Sequence, residues 1–235
     1  MDDCITARAR KRPAAEREVT RTDWLESFHS FPVHPDRGSD PPGFRSLLAI
    51  AEHRLAPGSG FADRPHRDVE LITLIVAGTL AYADSLGNCR LLRAGEVQSI
   101  SAGSGVMHSE FNASESKPLH ILQISIRPRE KGGEPAYAHL FPRPTVNALL
   151  PLAGPQIAPL PLRQDAWLLL GHVGPGSSVT HDTRVDRGIW IHVISGTIRV
   201  AAQELSTGDG FAAEGLPHIG VTGTTDACFL IADVS

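Results

Sequence analysis

The sequence predicts an all-β fold made of two similar jelly-roll barrels in tandem. Three observations carry this: a composition rich in turn formers, short strand-like runs divided by turns, and a motif order that occurs twice. The 235 residues include 22 Gly and 18 Pro but only 2 Met. Gly and Pro interrupt element interiors and supply turn geometry, so their abundance favours many short strands over long helices. The length of 235 residues also allows two cores, since one domain commonly takes about 100 to 200 residues.

Taken in order, residues 1–43 are expected to form an N-terminal segment packing on the barrels. The run Arg8-Ala9-Arg10-Lys11-Arg12 within it is the one basic cluster. Asp2, Asp3, Glu16 and Glu18 surround it, so it reads as a solvated terminal stretch. Strand patterns at 46–52, 70–76, 79–83, 97–100 and 119–126 define a first barrel over 44–126. Eight prolines then crowd the span from Arg127 to Leu162. Proline has no N–H to give to a ladder, so 127–165 is expected to be a surface linker without a central strand. The pattern resumes at 166–170, 189–194, 197–201, 211–213 and 228–231, giving a second barrel over 166–235.

The halves repeat each other. Val76-Ala77-Gly78-Thr79-Leu80 returns as Ile194-Ser195-Gly196-Thr197-Ile198, Ala94-Gly95-Glu96 as Thr207-Gly208-Asp209, and Gly105-Val106-Met107-His108 as Gly215-Leu216-Pro217-His218. Repetition in the same order is a stronger sign than any single strand. Small barrels of about eight short strands suit such a unit, and two side by side make a bicupin.

Bulk properties narrow the partners. A formal charge of -4 argues against direct nucleic-acid binding. No apolar run approaches the roughly 18 residues of a membrane span, and the start Met-Asp-Asp-Cys lacks a leader pattern. Cys4, Cys89 and Cys228 are odd in number and far apart, and read as reduced. A cytoplasmic protein is the expectation; the oligomeric state is not encoded in any pattern.

The residues suited to chemistry cluster in the first half. In an extended strand alternate side chains share a face, which puts Arg64, His66, Asp68 and Glu70 together, and likewise His108 with Glu110. Barrel closure can bring the two groups to one interior. Imidazole and carboxylate suit Fe, Ni, Cu, Mn or Zn, and two His with one carboxylate is the donor set of oxygen-binding non-haem iron. Other features read as structural. Trp24, Trp167 and Trp190 are expected in packing, Gly103-Ser104-Gly105 in a tight turn at the barrel mouth, and Cys89 has no neighbouring base.

Pro65-His66-Arg67-Asp68-Val69-Glu70, Asp84-Ser85-Leu86-Gly87-Asn88, Gly95-Glu96-Val97-Gln98, Ser101-Ala102-Gly103-Ser104-Gly105 and His108-Ser109-Glu110-Phe111-Asn112 together resemble the core signature of the pirin family. Trp24 to Phe31 and Leu119 to Ile124 extend the likeness, which is dense over about 5–135 and looser beyond. The resemblance implies a bicupin with a divalent metal in the N-terminal barrel, held here by His66, His108 and Glu110. It also implies either a quercetin 2,3-dioxygenase activity, opening a flavonol ring with dioxygen, or a regulatory role with a protein partner. In the first case Glu110 is also the candidate catalytic base.

One position departs from the family pattern: Arg64 stands where the resemblance implies another His. A guanidinium has no lone pair to give and repels a dication. Three outcomes follow. Glu70 or Asp63 could replace the lost ligand; a three-donor site could persist with Arg64 turned outward; or Arg64 could pair with Glu110 and take the metal's place. In the second half, His218 matches His108, Gly220 matches Glu110, and Asp182 and Arg184 match Arg64 and His66. His181 could approach His218 in a shifted register, but the barrel is expected to be structural and metal-free.

Overall fold

The computed structural model describes residues 8–32, 43–155 and 157–235. Cys4 and the leader reading at the N-terminus lie outside the described residues. The first half runs β1 (Arg8–Arg12), β2 (Glu18–Arg21), β3 (Leu25–His29), β4 (Leu47–Leu55), β5 (Gly60–His66), β6 (Glu70–Ala77), β7 (Thr79–Asp84), β8 (Cys89–Arg93), β9 (Val97–Ser101), β10 (Val106–Asn112) and β11 (Leu119–Ile126). The second continues with β12 (Ala136–Leu140), β13 (Ala148–Gly154), β14 (Leu160–Pro161), β15 (Ala166–Val173), β16 (Ser178–Asp182), β17 (Gly188–Ser195), β18 (Thr197–Val200), β19 (Gln203–Ser206), β20 (Gly210–Glu214), β21 (His218–Gly223) and β22 (Ala227–Val234). A 3₁₀ turn at Ala14–Glu16 is the one helical element among the described residues.

The strands form two matching pairs of sheets, as the repeat predicts. One pair is the seven-stranded β12-β9-β6-β11-β4-β3-β2 facing β5-β10-β7-β8; the other is β1-β20-β17-β22-β15-β13-β14 facing β16-β21-β18-β19. Each pair encloses its own core, around Ile75, Leu80 and Ile121 in the first and around Ile191, Phe211 and Phe229 in the second. A third core, with Leu47, Ile72 and Leu122 against Leu168, Trp190 and Leu230, joins the two large sheets. Trp190 is fully buried there and packs on Phe31 at 4.7 Å between ring centres.

A polar clamp crosses this junction. Glu52 on β4 accepts from Arg17 Nη1 at 2.5 Å and lies 3.0 Å from both His120 Nε2 on β11 and His192 Nε2 on β17. Burial alone would raise the Glu52 carboxyl, but hydrogen bonds from His120 and His192 and the Arg17 charge hold it far below the carboxylate range.

Three expectations need correction. The basic run is not a free stretch: β1 lies on β20, Arg8 opposite Glu214, with Lys11 Nζ 2.8 Å from Asp209, although Arg8 and Arg10 stay exposed. The open edge of β20 supplies the backbone partners that charge alone does not predict. The segment 127–165 is not free of strand either. β12 and β14 occupy sheet edges, where a missing N–H costs little, but β13, carrying Pro151, lies between β14 and β15 and meets β15 through a bulge at Pro151–Ala153. Finally, the face expected to join Arg64, His66, Asp68 and Glu70 is broken. β5 ends at His66, Asp68 adopts a left-handed φ of 54°, and Glu70 opens the next strand.

Candidate metal centre

The centre lies on the inner face of the β5–β10 pair. His108 stands opposite Arg64, and Val106 opposite His66. A bulge after His108 sets Glu110 opposite Phe61. Along β10 the side chains of Val106, His108, Glu110 and Asn112 are buried while Met107 and Phe111 are exposed, so period-two alternation aims His108 and Glu110 inward together. The His66 and His108 rings stack with centres 4.6 Å apart and planes 12° apart. His108 Nε2 is 3.8 Å from Glu110 Oε2.

Arg64 also faces inward. Its Nη2 is 3.3 Å from Glu110 Oε2, and its guanidinium carbon lies 4.0 Å from the Phe61 ring centre. Neither substitute ligand is in place. Asp63 alternates to the exposed side, and Glu70 accepts from Ser101 Oγ at 2.6 Å and from the Arg163 backbone N–H at 3.3 Å. Among the described residues no three His, Cys, Asp or Glu side chains stand grouped closely enough to hold an ion as placed.

The fit to a metal therefore turns on the donors left idle. His66 Nε2 and both ring nitrogens of His108 are buried without a hydrogen-bond partner. Buried polar atoms are almost always paired, so three orphaned lone-pair or N–H sites in one spot mark a place for a partner. Burial and the Arg64 charge depress both imidazoles; His108, which also feels His66, falls to about 4. Both rings are then neutral and able to donate a lone pair at pH 7. With Glu110 they fit a two-imidazole, one-carboxylate set for a first-row divalent ion. The competitor is Arg64, whose side chain is 37% exposed and stands on Glu110.

Glu110 is held by four donors. It is fully buried, and Gln98 Nε2 at 3.0 Å and Thr73 Oγ1 at 3.4 Å point at one oxygen while Gln123 Nε2 at 2.6 Å and Arg64 address the other. Burial raises the carboxyl above its ordinary range against the pull of all four donors. Each amide is oriented by a further group. Tyr137 Oη donates to Gln98 Oε1 at 3.3 Å, leaving the amide nitrogen for Glu110. The Gln123 side chain also acts on buried His53, favouring its charged form, although burial holds the imidazole down to about 3. Ser27 Oγ lies 2.7 Å from His53 Nδ1 and 2.8 Å from His29 Nε2, which extends the chain towards the surface. Sequence reading singled out His66, His108 and Glu110 as candidate donors but gave no role to Gln98, Gln123, Thr73, His53 and Tyr137. Thr73, Gln98 and Gln123 are polar residues inside otherwise apolar strand patterns, a signal visible in the sequence.

The second barrel corrects the repeat by one residue. β16 pairs with β21 so that Asp182 faces His218 and His181 faces Ile219. His218 and Asp182 are exposed, while His181 and Ile219 turn inward. His181 therefore does not approach His218. A one-residue slip flips every side chain to the other face, and matching His108 to His218 by motif concealed it.

Two barrels on this plan, one with polar residues at its centre, define a bicupin. The chain belongs to the pirin family: a Pirin signature matches residues 12–126, and a Quercetinase C-terminal cupin domain signature matches 154–234. It is 32% identical over 224 residues to a quercetin 2,3-dioxygenase of Escherichia coli, covering 95% of this chain and 97% of that one. A pirin-like protein of Caulobacter vibrioides is 30% identical over 217 residues, with 90% and 93% covered. The crystal structure of the bacterial pirin YhhW from Escherichia coli in complex with nickel(II) superposes with a TM-score of 0.90 at 31% identity, covering 97% of this chain and 99% of that one.

Proposed function

We propose that the N-terminal barrel is a flavonol-type dioxygenase centre reduced to three protein donors, His66, His108 and Glu110. The observation that carries this is the set of orphaned, neutral imidazole nitrogens beside a buried carboxylate. A bound Fe, Ni, Mn, Cu or Zn ion would supply Lewis acidity and a site for dioxygen chemistry. The chain's own residues do the rest. Glu110, with its proton affinity raised by burial, accepts the proton of a phenolic hydroxyl. Arg64, once it releases Glu110 to the metal, remains a nearby cation that would face the oxyanion that results. A cavity of about 320 Å³ beside His66, lined also by Pro65, Ser85, Gly105 and Met107 but not by His108 or Glu110, is where a small planar aromatic such as a flavonol would rest next to the centre.

The Arg64–Glu110 contact favours a second reading, in which the guanidinium keeps the metal's place and the barrel binds a ligand or a protein partner without turnover. Metal content after purification without added metal, followed by oxygen uptake with quercetin and added Ni(II) or Fe(II), separates the two. The first reading expects low native content, uptake that depends on added metal, and its loss in His108→Ala. No uptake at saturating metal would replace it with the second.

A further inference from the structure

The C-terminal barrel carries a cavity of about 450 Å³, larger than the one beside His66 and within the range of small-molecule sites. Trp167 and Leu169 form an apolar wall, and His181, Thr183, Arg187 and Asp233 line the rest. His181 Nε2 lies 2.7 Å from Asp233 Oδ2. Asp233 is buried, which would raise its carboxyl, but hydrogen bonds from His181 and Arg187 hold it below the ordinary range. An ionised Asp233 accepts a hydrogen bond from His181 Nε2–H, which leaves Nδ1 as the lone-pair nitrogen of the ring. No partner for that nitrogen is found among the described residues.

The ionic groups around it are already satisfied. Arg187 pairs with Asp233, lies 2.8 Å from Asp165 Oδ1, and donates to the backbone carbonyls of Asp165 and Asp233 at 3.1 and 2.9 Å. Arg184 is bound to Asp186 at 3.1 Å through two nitrogens. Arg187 is committed to Asp165 and Asp233, Arg184 is an exposed residue paired with Asp186, and the exposed carboxylate of Asp182 disfavours an anion. One imidazole among carboxylates committed to Arg187 is a poor metal set. What the cavity offers is the His181 Nδ1 acceptor and the buried, unpartnered Thr183 hydroxyl beside a Trp.

We propose that the mouth of the C-terminal barrel is a second binding site, for a small neutral hydroxylated aromatic whose O–H donates to His181 Nδ1 while its ring packs on Trp167. The site is independent of the metal centre. The test titrates methyl 4-hydroxybenzoate into the full chain by calorimetry and follows the His181 ring resonances by NMR. Methyl 4-methoxybenzoate, lacking the donor, and 4-hydroxybenzoate, carrying a negative charge, are the comparison ligands. The expected result is saturable binding that shifts His181, survives His108→Ala, and weakens about tenfold or more in His181→Phe or with the methoxy ester, the worth of one well-oriented hydrogen bond. Equal binding of the methoxy ester, an unmoved His181 resonance in the wild type, or no binding at millimolar ligand would overturn it. The wild-type resonance decides the matter even if His181→Phe does not fold.

Discussion

Thr73 pairs with Gln98 and Gln123 in the N-terminal barrel, and at the same ladder position of the C-terminal barrel Ile191 pairs with Phe211 and Ile231. Glu110 opposite Tyr82 likewise corresponds to Val221 opposite Val200, and His108 to Ile219. The same strand plan thus closes over a carboxylate held by two amides in one half and over packed aliphatic and aromatic side chains in the other. The fold does not require the polar set. Buried charge is costly to retain where apolar packing of similar volume would serve, so its retention in one barrel is best accounted for by chemistry.

The sharpest way to break this comparison is to move Glu110 across it. Val221→Glu places a carboxylate where no amide or guanidinium awaits it, and should destabilise the protein by about 3 kcal/mol or more in denaturant titration. A near-neutral effect would mean that the C-terminal interior is not the dry apolar counterpart described. The reverse change, Glu110→Val, removes the carboxylate and should abolish measurable Ni(II) binding by calorimetry while the protein stays folded.

Smaller effects probe the groups that orient the amides. Tyr137→Phe deletes only the hydroxyl on Gln98 and should cost about 1 kcal/mol in unfolding free energy, with a shift of the Gln98 side-chain amide resonances. An unchanged amide spectrum would show that Tyr137 does not fix its orientation. Acid should act through the same half of the molecule. The folded pKa of His53 is about 3, with burial the leading cause, and that of His108 about 4, against 6.5 for the unfolded chain. Both groups bind protons more readily unfolded, so their contribution is whole above about pH 6.5 and declines as pH falls towards 4. The slope is up to about 1.4 kcal/mol per pH unit for each. Denaturant midpoints at pH 7.5 and 5, compared with His53→Phe, should show a shallower decline in the variant.

Much of this was legible in the sequence. The repeated Gly78 and Gly196 turns and the strand alternation specify two barrels, and His66, His108 and Glu110 follow from their motifs. What escaped depends on partners distant along the chain. That β1 crosses to β20 is decided by an unpaired sheet edge some two hundred residues away, and no local pattern records it. The inward turn of His181 rather than His218 depends on one residue of register, which motif matching cannot resolve because His occurs at the tempting place. Asp68 breaks the Arg64–Glu70 face through a backbone turn that composition does not announce. Arg64 was legible as a departure, but its inward orientation rests on Phe61 and Glu110 meeting it in space.

On the proposed reading the Arg64 guanidinium competes with a metal ion for Glu110. Calorimetric titration of Ni(II) into wild type, Arg64→Met and Arg64→His tests it most directly, since Met removes the charge without adding a donor and His adds one. The account predicts weakest binding in wild type, tighter in Arg64→Met, and tightest in Arg64→His, with about tenfold or more between the extremes. Equal affinity in all three proteins would contradict it, placing the guanidinium outside the metal's path and leaving the contact with Glu110 without functional weight.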